Sequence, residues 1–334
     1  MSPKRTVHLP VASLDSVQEF VDIAVRAEEL GYERAWIPET WGRNVVPILT
    51  RVAEETSEMG LGTSIVNVYS RSPALLGQTA VTLQEVSDGR MRLGIGPSGP
   101  IVVEGWHGAD FGNPLRRTRE SIDVIRQVVS GEEVDYEGEY FNLSGFRLRC
   151  DPPEEPPAVD AAGMGPKAVE LCGRFADGWH ATLFTPDGLR ERMDDFRRGA
   201  DLGDRDVDDL TATLSLGTCA LDDGDRARRL AREHLVFYVG AMGTYYRESL
   251  SRQGFEEEAN EIAAKYASGD RDGAMEALPD ELLDEMGASG TPERAREELR
   301  KFEEVDGLDS LAVSFPRGAS FEEIDRTLAA LAPE

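Results

Sequence analysis

Lysine is nearly missing from this chain. Four occur (Lys4, Lys167, Lys265 and Lys301) among 36 Lys+Arg, set against 63 Asp+Glu for a net charge of −27. Binding nucleic acid or an anionic membrane needs clustered cations, so both are excluded as expected partners. The acids scatter over helix faces, as in Glu28-Glu29 and Glu256-Glu257-Glu258, rather than forming a tail. A surface of this kind stays hydrated in concentrated salt, where screening suppresses its self-repulsion. It reads as that of a halophile's cytosolic protein, from a halophilic archaeon, with an acidic mesophilic enzyme as the alternative. Cysteine is also sparse. Cys150, Cys172 and Cys219 are odd in number, form no CxxC, and read as buried, reduced side chains. The four histidines (His8, His107, His180, His234) show no HExxH or other ligand spacing, so no metal is expected. No run approaches the roughly 18 apolar residues of a membrane span, and the start lacks a signal peptide's apolar core. The expected compartment is the cytoplasm.

What is present is alternation. Thr6–Val11 reads as a strand and Asp15–Leu30 as a helix with Val21, Ala24, Val25, Ala27 and Leu30 on one face. The same pairing repeats: strand Glu33–Pro38 with helix Asn44–Thr56, strand Leu61–Val66 with helix Pro73–Val86, and strand Met91–Gly96 with helix Leu115–Val129. Further on come strand Ala158–Ala162 with helix Lys167–Phe175, strand Gly178–Thr182 with helix Asp187–Arg198, and strand Leu210–Cys219 with helix Ala227–Val239. Helix Pro292–Val305, strand Ser310–Ser314 and helix Phe321–Leu331 close the chain. Eight such βα units predict an α/β fold, a (β/α)8 TIM barrel, with an open doubly wound sheet as the competing architecture. We read residues 1–334 as one barrel domain, with a hairpin-like insertion near 131–150 and a helical insertion near 243–288.

Two glycine loops stand at strand ends. Gly94-Ile95-Gly96-Pro97-Ser98-Gly99 matches the dinucleotide pattern GxGxxG, but Pro97 and Pro100 remove amide donors, and no helix is expected before about Asn113. We read it instead as a loop whose glycines let a flat ligand approach the backbone. Gly163-Met164-Gly165-Pro166-Lys167 opens a helix, and free amides with a lysine in the first turn suit an anion; an ordinary βα turn is the bland alternative.

Longer stretches carry a family likeness. Gly31–Glu39 (GYERAWIPE), Leu61–Ala74 (LGTSIVNVYSRSPA), Leu83–Arg90 followed by Leu93–Gly96, and Ala176–Trp179 (ADGW) resemble the bacterial-luciferase-like barrel superfamily. The fit is to its coenzyme F420-dependent branch, which includes methylenetetrahydromethanopterin reductase. Val236–Gly240, the insertion after it and Gly290–Glu293 resemble that branch as well. The resemblance implies hydride transfer between the deazaflavin F420 and a small substrate, without metal, with a homodimer or larger assembly. It implies Gly163, Met164, Gly165 and Lys167 at the cofactor's phosphate with Thr182 nearby, and Ser64, Ile65, Gly96 and Ser98 bordering the ring. Glu39 and Thr40 would sit at the strand-two mouth. It also implies a non-proline cis peptide at Ser64–Ile65, where local propensity alone reads a plain buried strand.

One departure from the family matters. Relatives often carry Asp-His where this chain has Glu39-Thr40, so the catalytic acid–base candidates are Glu39, Glu104 and His107; for Glu104 and His107 the plain alternative is a loop residue. Trp41 and Trp106 could wall the pocket. The resemblance implies a one-carbon tetrahydropterin or folate derivative as the expected substrate. The alternatives are an FMN-dependent monooxygenase on the same barrel and a non-catalytic F420-binding protein.

Overall fold

The structure is a computed structural model and describes residues 2–333. In chain order it runs β1 (Lys4–His8), α1 (Val17–Glu29), β2 (Arg34–Ile37), α2 (Val45–Glu55), β3 (Gly60–Thr63), β4 (Val66–Asn67), α3 (Pro73–Val86) and β5 (Met91–Gly96). There follow α4 (Pro100–Gly105), α5 (Pro114–Val129), β6 (Val134–Glu137), β7 (Asn142–Phe146), β8 (Ala158–Ala162), α6 (Pro166–Phe175), β9 (Gly178–Thr182) and α7 (Pro186–Leu202). The last third holds β10 (Thr211–Ala220), α8 (Gly224–Ala241), α9 (Thr244–Arg252), α10 (Glu256–Ala267), α11 (Arg271–Glu276), α12 (Asp280–Glu285), β11 (Gly287–Gly290), α13 (Pro292–Glu303), β12 (Ser310–Ser314) and α14 (Phe321–Ala330). Local chemistry fixes the helix starts. Ser16, Asn44, Ser72, Asn113, Asp223, Thr291 and Ser320 each accept a first-turn N–H, a cap worth about 1 kcal/mol.

The chain forms two compact units. One comprises Met1–Tyr32, Ala181–Asp194 and Ala212–Glu334; the other Glu33–His180 and Asp195–Thr211. In the first, β11, β10, β12 and β1 lie side by side, all parallel. In the second, β2, β3, β5, β8 and β9 do the same, with β4 also on β5. The strand order, with a helix after each main strand, is that of an α/β, (β/α)8 barrel.

Four sequence expectations need correction. The third strand, continuous by local propensity, breaks into β3 and β4; the Ser64–Ile65 peptide between them is cis, as the family resemblance implied. A helix does form before Asn113, because Pro100 opens α4 at a position that needs no N–H and Val102 and Val103 bury beneath it. The stretch read as a helical insertion to about 288 gives way at its end to a strand, Gly287–Gly290, that pairs with the far half of β10. Cys150 is exposed, in the chain between β7 and β8, while Cys172 and Cys219 are buried. The helical insertion consists of four short helices around Leu250, Ile262, Leu278 and Leu282.

Inside the second unit the core is partly ionic. Arg92 forks onto Asp160, with Nε 2.9 Å from Oδ2 and a terminal nitrogen 2.5 Å from Oδ1. Asp160 is 2 % exposed. Burial works against its charge, but Arg92 and the neighbouring His180 outweigh that and hold the carboxyl well below the usual carboxylate range. Arg34 donates to the carbonyls of Leu61 and Arg90 at 2.8 Å each; burial, reinforced by the like charge of Arg92, pulls its guanidinium down to about 10. Neighbouring glycines make room for large inward groups. A Cβ on Gly62 would overlap the Trp36 ring, and one on Gly94 would overlap Thr63 O and come 2.9 Å from His180 Nε2.

Removing one member of a buried pair strands the other. Asp160→Ala should therefore cost about 3–5 kcal/mol in urea denaturation, and exchanging both partners for apolar residues (Arg92→Met with Asp160→Leu) should cost less than Asp160→Ala alone.

Candidate active site

Glu39 follows the end of β2. Its N–H donates to Ile65 O at 3.0 Å, and its carboxylate is claimed from two sides. Arg71 grips both oxygens, one terminal nitrogen lying 2.9 Å from Oε2, while Val45 N–H donates to Oε2 at 3.0 Å and so ties Glu39 to the first turn of α2. Burial raises the carboxyl's affinity for a proton, but the hydrogen bonds from Arg71 and Val45 and the charge of Arg71 prevail, and it lies below the ordinary glutamate value. Glu39 is a fixed anion, better suited to anchoring than to giving up a proton. Thr40 follows in the same loop, half-buried.

His107 is positioned by a residue that sequence reasoning passed over. Asn67 is fully buried, and its Oδ1 accepts Tyr69 N–H at 3.0 Å and Ser70 N–H at 2.7 Å. With the oxygen so engaged, the NH2 end faces His107 Nε2 at 3.1 Å, which must therefore accept. A neutral ring then carries its proton on Nδ1. Glu104 stands apart, exposed near the end of α4, and Trp41 and Trp106 are exposed by 46 % and 64 %.

Near this cluster the ends of β3, β5 and β8 make a close-packed patch around Gly96. A Cβ on Gly96 would sit 3.2 Å from Ala162 Cβ and from Ile65 Cγ1, so any side chain there would stand over its neighbours. Ser64 and Ile65 are half-buried at its edge. Ser98 holds φ at 59°, a left-handed conformation rare for a residue with a side chain and commonest where function demands it.

The Gly163–Lys167 loop opens α6 with no side-chain cap, and the N–H groups of Met164, Gly165 and Lys167 have no partner among the described residues. Two details differ from the sequence reading. A Cβ on Gly163 would lie 2.8 Å from the backbone of Ala168, so this glycine is required by the loop–helix junction itself. Lys167 is 74 % exposed and pairs with Glu170 at 3.0 Å, one turn along the helix rather than over the loop. Thr182 is half-buried at the end of β9.

Other groups went unrecognised because nothing in the linear pattern joins them. His180, Asp160 and Arg92 come from three strands and meet in the core; Ser64 Oγ lies 3.2 Å from His180 Nδ1. In the other unit, His234 Nδ1 accepts Arg317 N–H at 3.0 Å, its ring is 4.9 Å from Tyr238, and Tyr238 is 5.1 Å from Tyr246. Burial, with the charges of Arg317 and His8, pushes His234 down to about 4, so it is neutral near pH 7. The spacing of His234 and Tyr238, one helical turn apart, was the available signal.

Polar groups gathered at the strand ends of an α/β barrel define an enzyme of that fold, and no cluster of metal-ligating side chains occurs among the described residues. No helix among the described residues is long and apolar enough to cross a membrane. The sequence profile of the luciferase-like monooxygenases matches residues 2–308. A Mycobacterium tuberculosis protein assigned as a coenzyme F420-dependent oxidoreductase is 31 % identical, over 94 % of this chain and 94 % of its own. The 5,10-methylenetetrahydromethanopterin reductase of Archaeoglobus fulgidus is 31 % identical over 87 % of this chain and 88 % of its own. Among solved structures, the coenzyme F420-dependent tetrahydromethanopterin reductase of Methanopyrus kandleri superposes with a TM-score of 0.84 at 20 % identity, covering 100 % of this chain and 98 % of that one. The chain belongs to the luciferase-like family and, within it, to the branch of the F420-dependent oxidoreductases.

The Glu39 anchor has a pH signature. A carboxyl lowered on folding stabilises the protein above its unfolded value, and that contribution is lost as pH falls through the folded one. Glu39→Gln should cost about 1–3 kcal/mol at pH 7, the range for hydrogen bonds to a charged group. In melts taken at successively lower pH, the gap between wild type and variant should close below the ordinary glutamate range.

Proposed function

We propose that the protein transfers a hydride between coenzyme F420 and a small organic substrate, with a one-carbon tetrahydropterin or folate derivative as the substrate class. The observation that carries this reading is the close-packed backbone at Gly96, where Ile65 and Ala162 leave no room for a side chain, beside a helix start whose amides have no partner among the described residues. A planar ring fits the first and an anionic tail the second. When bound, F420 supplies the two-electron hydride carrier. Ser64, Ile65, Gly96 and Ser98 would hold its ring, and Met164, Gly165 and Lys167 its phosphate through their N–H groups, with Thr182 close by. The Lys167 side chain contributes once it lets go of Glu170.

The chain's own groups divide the remaining work. Asn67 sets His107 to donate from Nδ1, which suits orienting an acceptor atom on a substrate more than delivering a proton. Glu39 and Arg71 hold the loops after β2 and β4 together. Trp41, Trp106 and the end of α4 that carries Glu104 would cover a bound substrate and exclude water. Identity of about 31 % to the Archaeoglobus reductase supports the one-carbon substrate class. The −27 charge with four lysines supports a salt-rich cytoplasmic setting, and the family likeness a homodimer or larger assembly.

Titrating the purified protein with F420 and with FMN tests the cofactor. F420 should bind at least tenfold more tightly, about 1.4 kcal/mol. The reverse order would move the protein to the FMN-dependent monooxygenases. Oxidation of reduced F420 by a methylene-tetrahydropterin should follow; F420 binding without turnover of any acceptor would leave a carrier protein.

A further inference from the structure

Histidine is an odd choice for position 180. The side chain is 7 % exposed, and the space it fills exists because β5 has Gly94 opposite it. An apolar residue would fill that space without a desolvation cost. The ring is clamped instead: Trp36 meets it edge-on at 4.6 Å and 86°, Ser64 Oγ lies 3.2 Å from Nδ1, and Asp160 Oδ2 lies 3.4 Å from Nε2. That last separation is too long for a good hydrogen bond, and Nε2 has no shorter partner among the described residues.

The chemistry of Asp160 decides which nitrogen carries the proton. Its two oxygens are engaged by Arg92, and it is held ionised, so it offers only lone pairs. A ring nitrogen facing a carboxylate carries a hydrogen, since lone pair against lone pair would be repulsive in this dry surrounding. In the neutral ring Nδ1 is then bare, and the contact with Ser64 has one polarity: the hydroxyl donates and the imidazole accepts. Four strand ends or strands (β3, β5, β8, β9) thus give a polar chain from Arg92 through Asp160 and His180 to Ser64.

We infer that His180 is a positioning residue: the Arg92–Asp160 pair fixes its proton on Nε2, and bare Nδ1 holds the Ser64 hydroxyl in one orientation at the strand-three mouth. What the hydroxyl is oriented for rests on the F420 reading above; the proton position and the His180–Ser64 coupling do not.

Two measurements test this. In cofactor-free protein labelled with 15N-histidine, the His180 signals, identified by their loss in His180→Asn, should show Nε2 protonated and Nδ1 bare near pH 7. Asp160→Asn should mix the two tautomers. In F420 titrations, Ser64→Ala and His180→Ala should each weaken binding about tenfold, and the double variant no more than either alone, because they remove the same bond. His180→Asn, whose amide replaces Nδ1, should stay within about threefold of wild type. A protonated Nδ1, or a double variant weakened by the product of the single losses, about a hundredfold, overturns the inference. If wild type takes up no F420, the functional reading falls, and the nitrogen spectra alone decide the inference.

Discussion

The Arg92–Asp160 pair is the constraint around which the second unit is arranged. An ionised carboxylate that is 2 % exposed must be matched by charge and geometry, and the match dictates its surroundings. Gly178 has no side chain because a Cβ would come 2.6 Å from Asp160 Oδ1. Arg34, close enough to feel the charge of Arg92, is stabilised by two backbone carbonyls and by the face of Trp36, 5.3 Å away. His180 stands on the same carboxylate, and Ser64 on His180. Replacing such a pair with apolar residues often leaves a protein as stable or more so, so stability alone does not account for it. Its value here is specificity: it sets the orientation of side chains that end at the mouth of the strands.

Two of the segments that carry the family resemblance turn out to be structural fastenings. In Ala176-Asp177-Gly178-Trp179, Asp177 accepts Val159 N–H at 2.8 Å and pairs with Arg126 at 2.6 Å, while Trp179 Nε1 donates to Gly163 O at 2.8 Å. In the segment before β5, Gln84 accepts Met91 N–H at 3.0 Å, and Arg90 donates to the carbonyls of Ala53, Thr56, Met59 and Ser87. These fastenings fix where strands begin and loops attach. They define a fold that hosts several chemistries, which is why they identify a family more sharply than a substrate.

The βα alternation was legible because its signals are local: apolar periodicity, a capping side chain, a proline at a helix start. The break at Ser64–Ile65 was not legible in the residues, since Thr63-Ser64-Ile65-Val66 has the composition of an uninterrupted strand; only the family likeness implied it. The site was legible in part. Gly96 and the Gly163 loop announce themselves as glycines at strand ends, whereas Glu39 and Ser64 entered only through the family likeness. Arg71, Asn67 and His180 do not announce themselves, because each gains its meaning from a partner between 32 and 116 residues away. The reading of Gly163 shows the same limit: a glycine before a helix fits an anion loop, yet its need for glycine comes from Ala168.

The sequence by itself determined the alternation of eight main strands with helices, the acidic composition and the residue types offered at the strand ends, since each follows from near neighbours or simple counting. Tertiary structure alone decided what those residues can do. It turned Glu39 into an anchored anion by setting Arg71 against it, pointed Lys167 at Glu170, and made His107 an acceptor at Nε2 by committing the oxygen of Asn67. It also joined Arg92, Asp160, His180 and Ser64 into one chain. Ionisation, tautomer and hydrogen-bond direction depend on what lies within a few ångströms in space, and sequence distance carries no information about that.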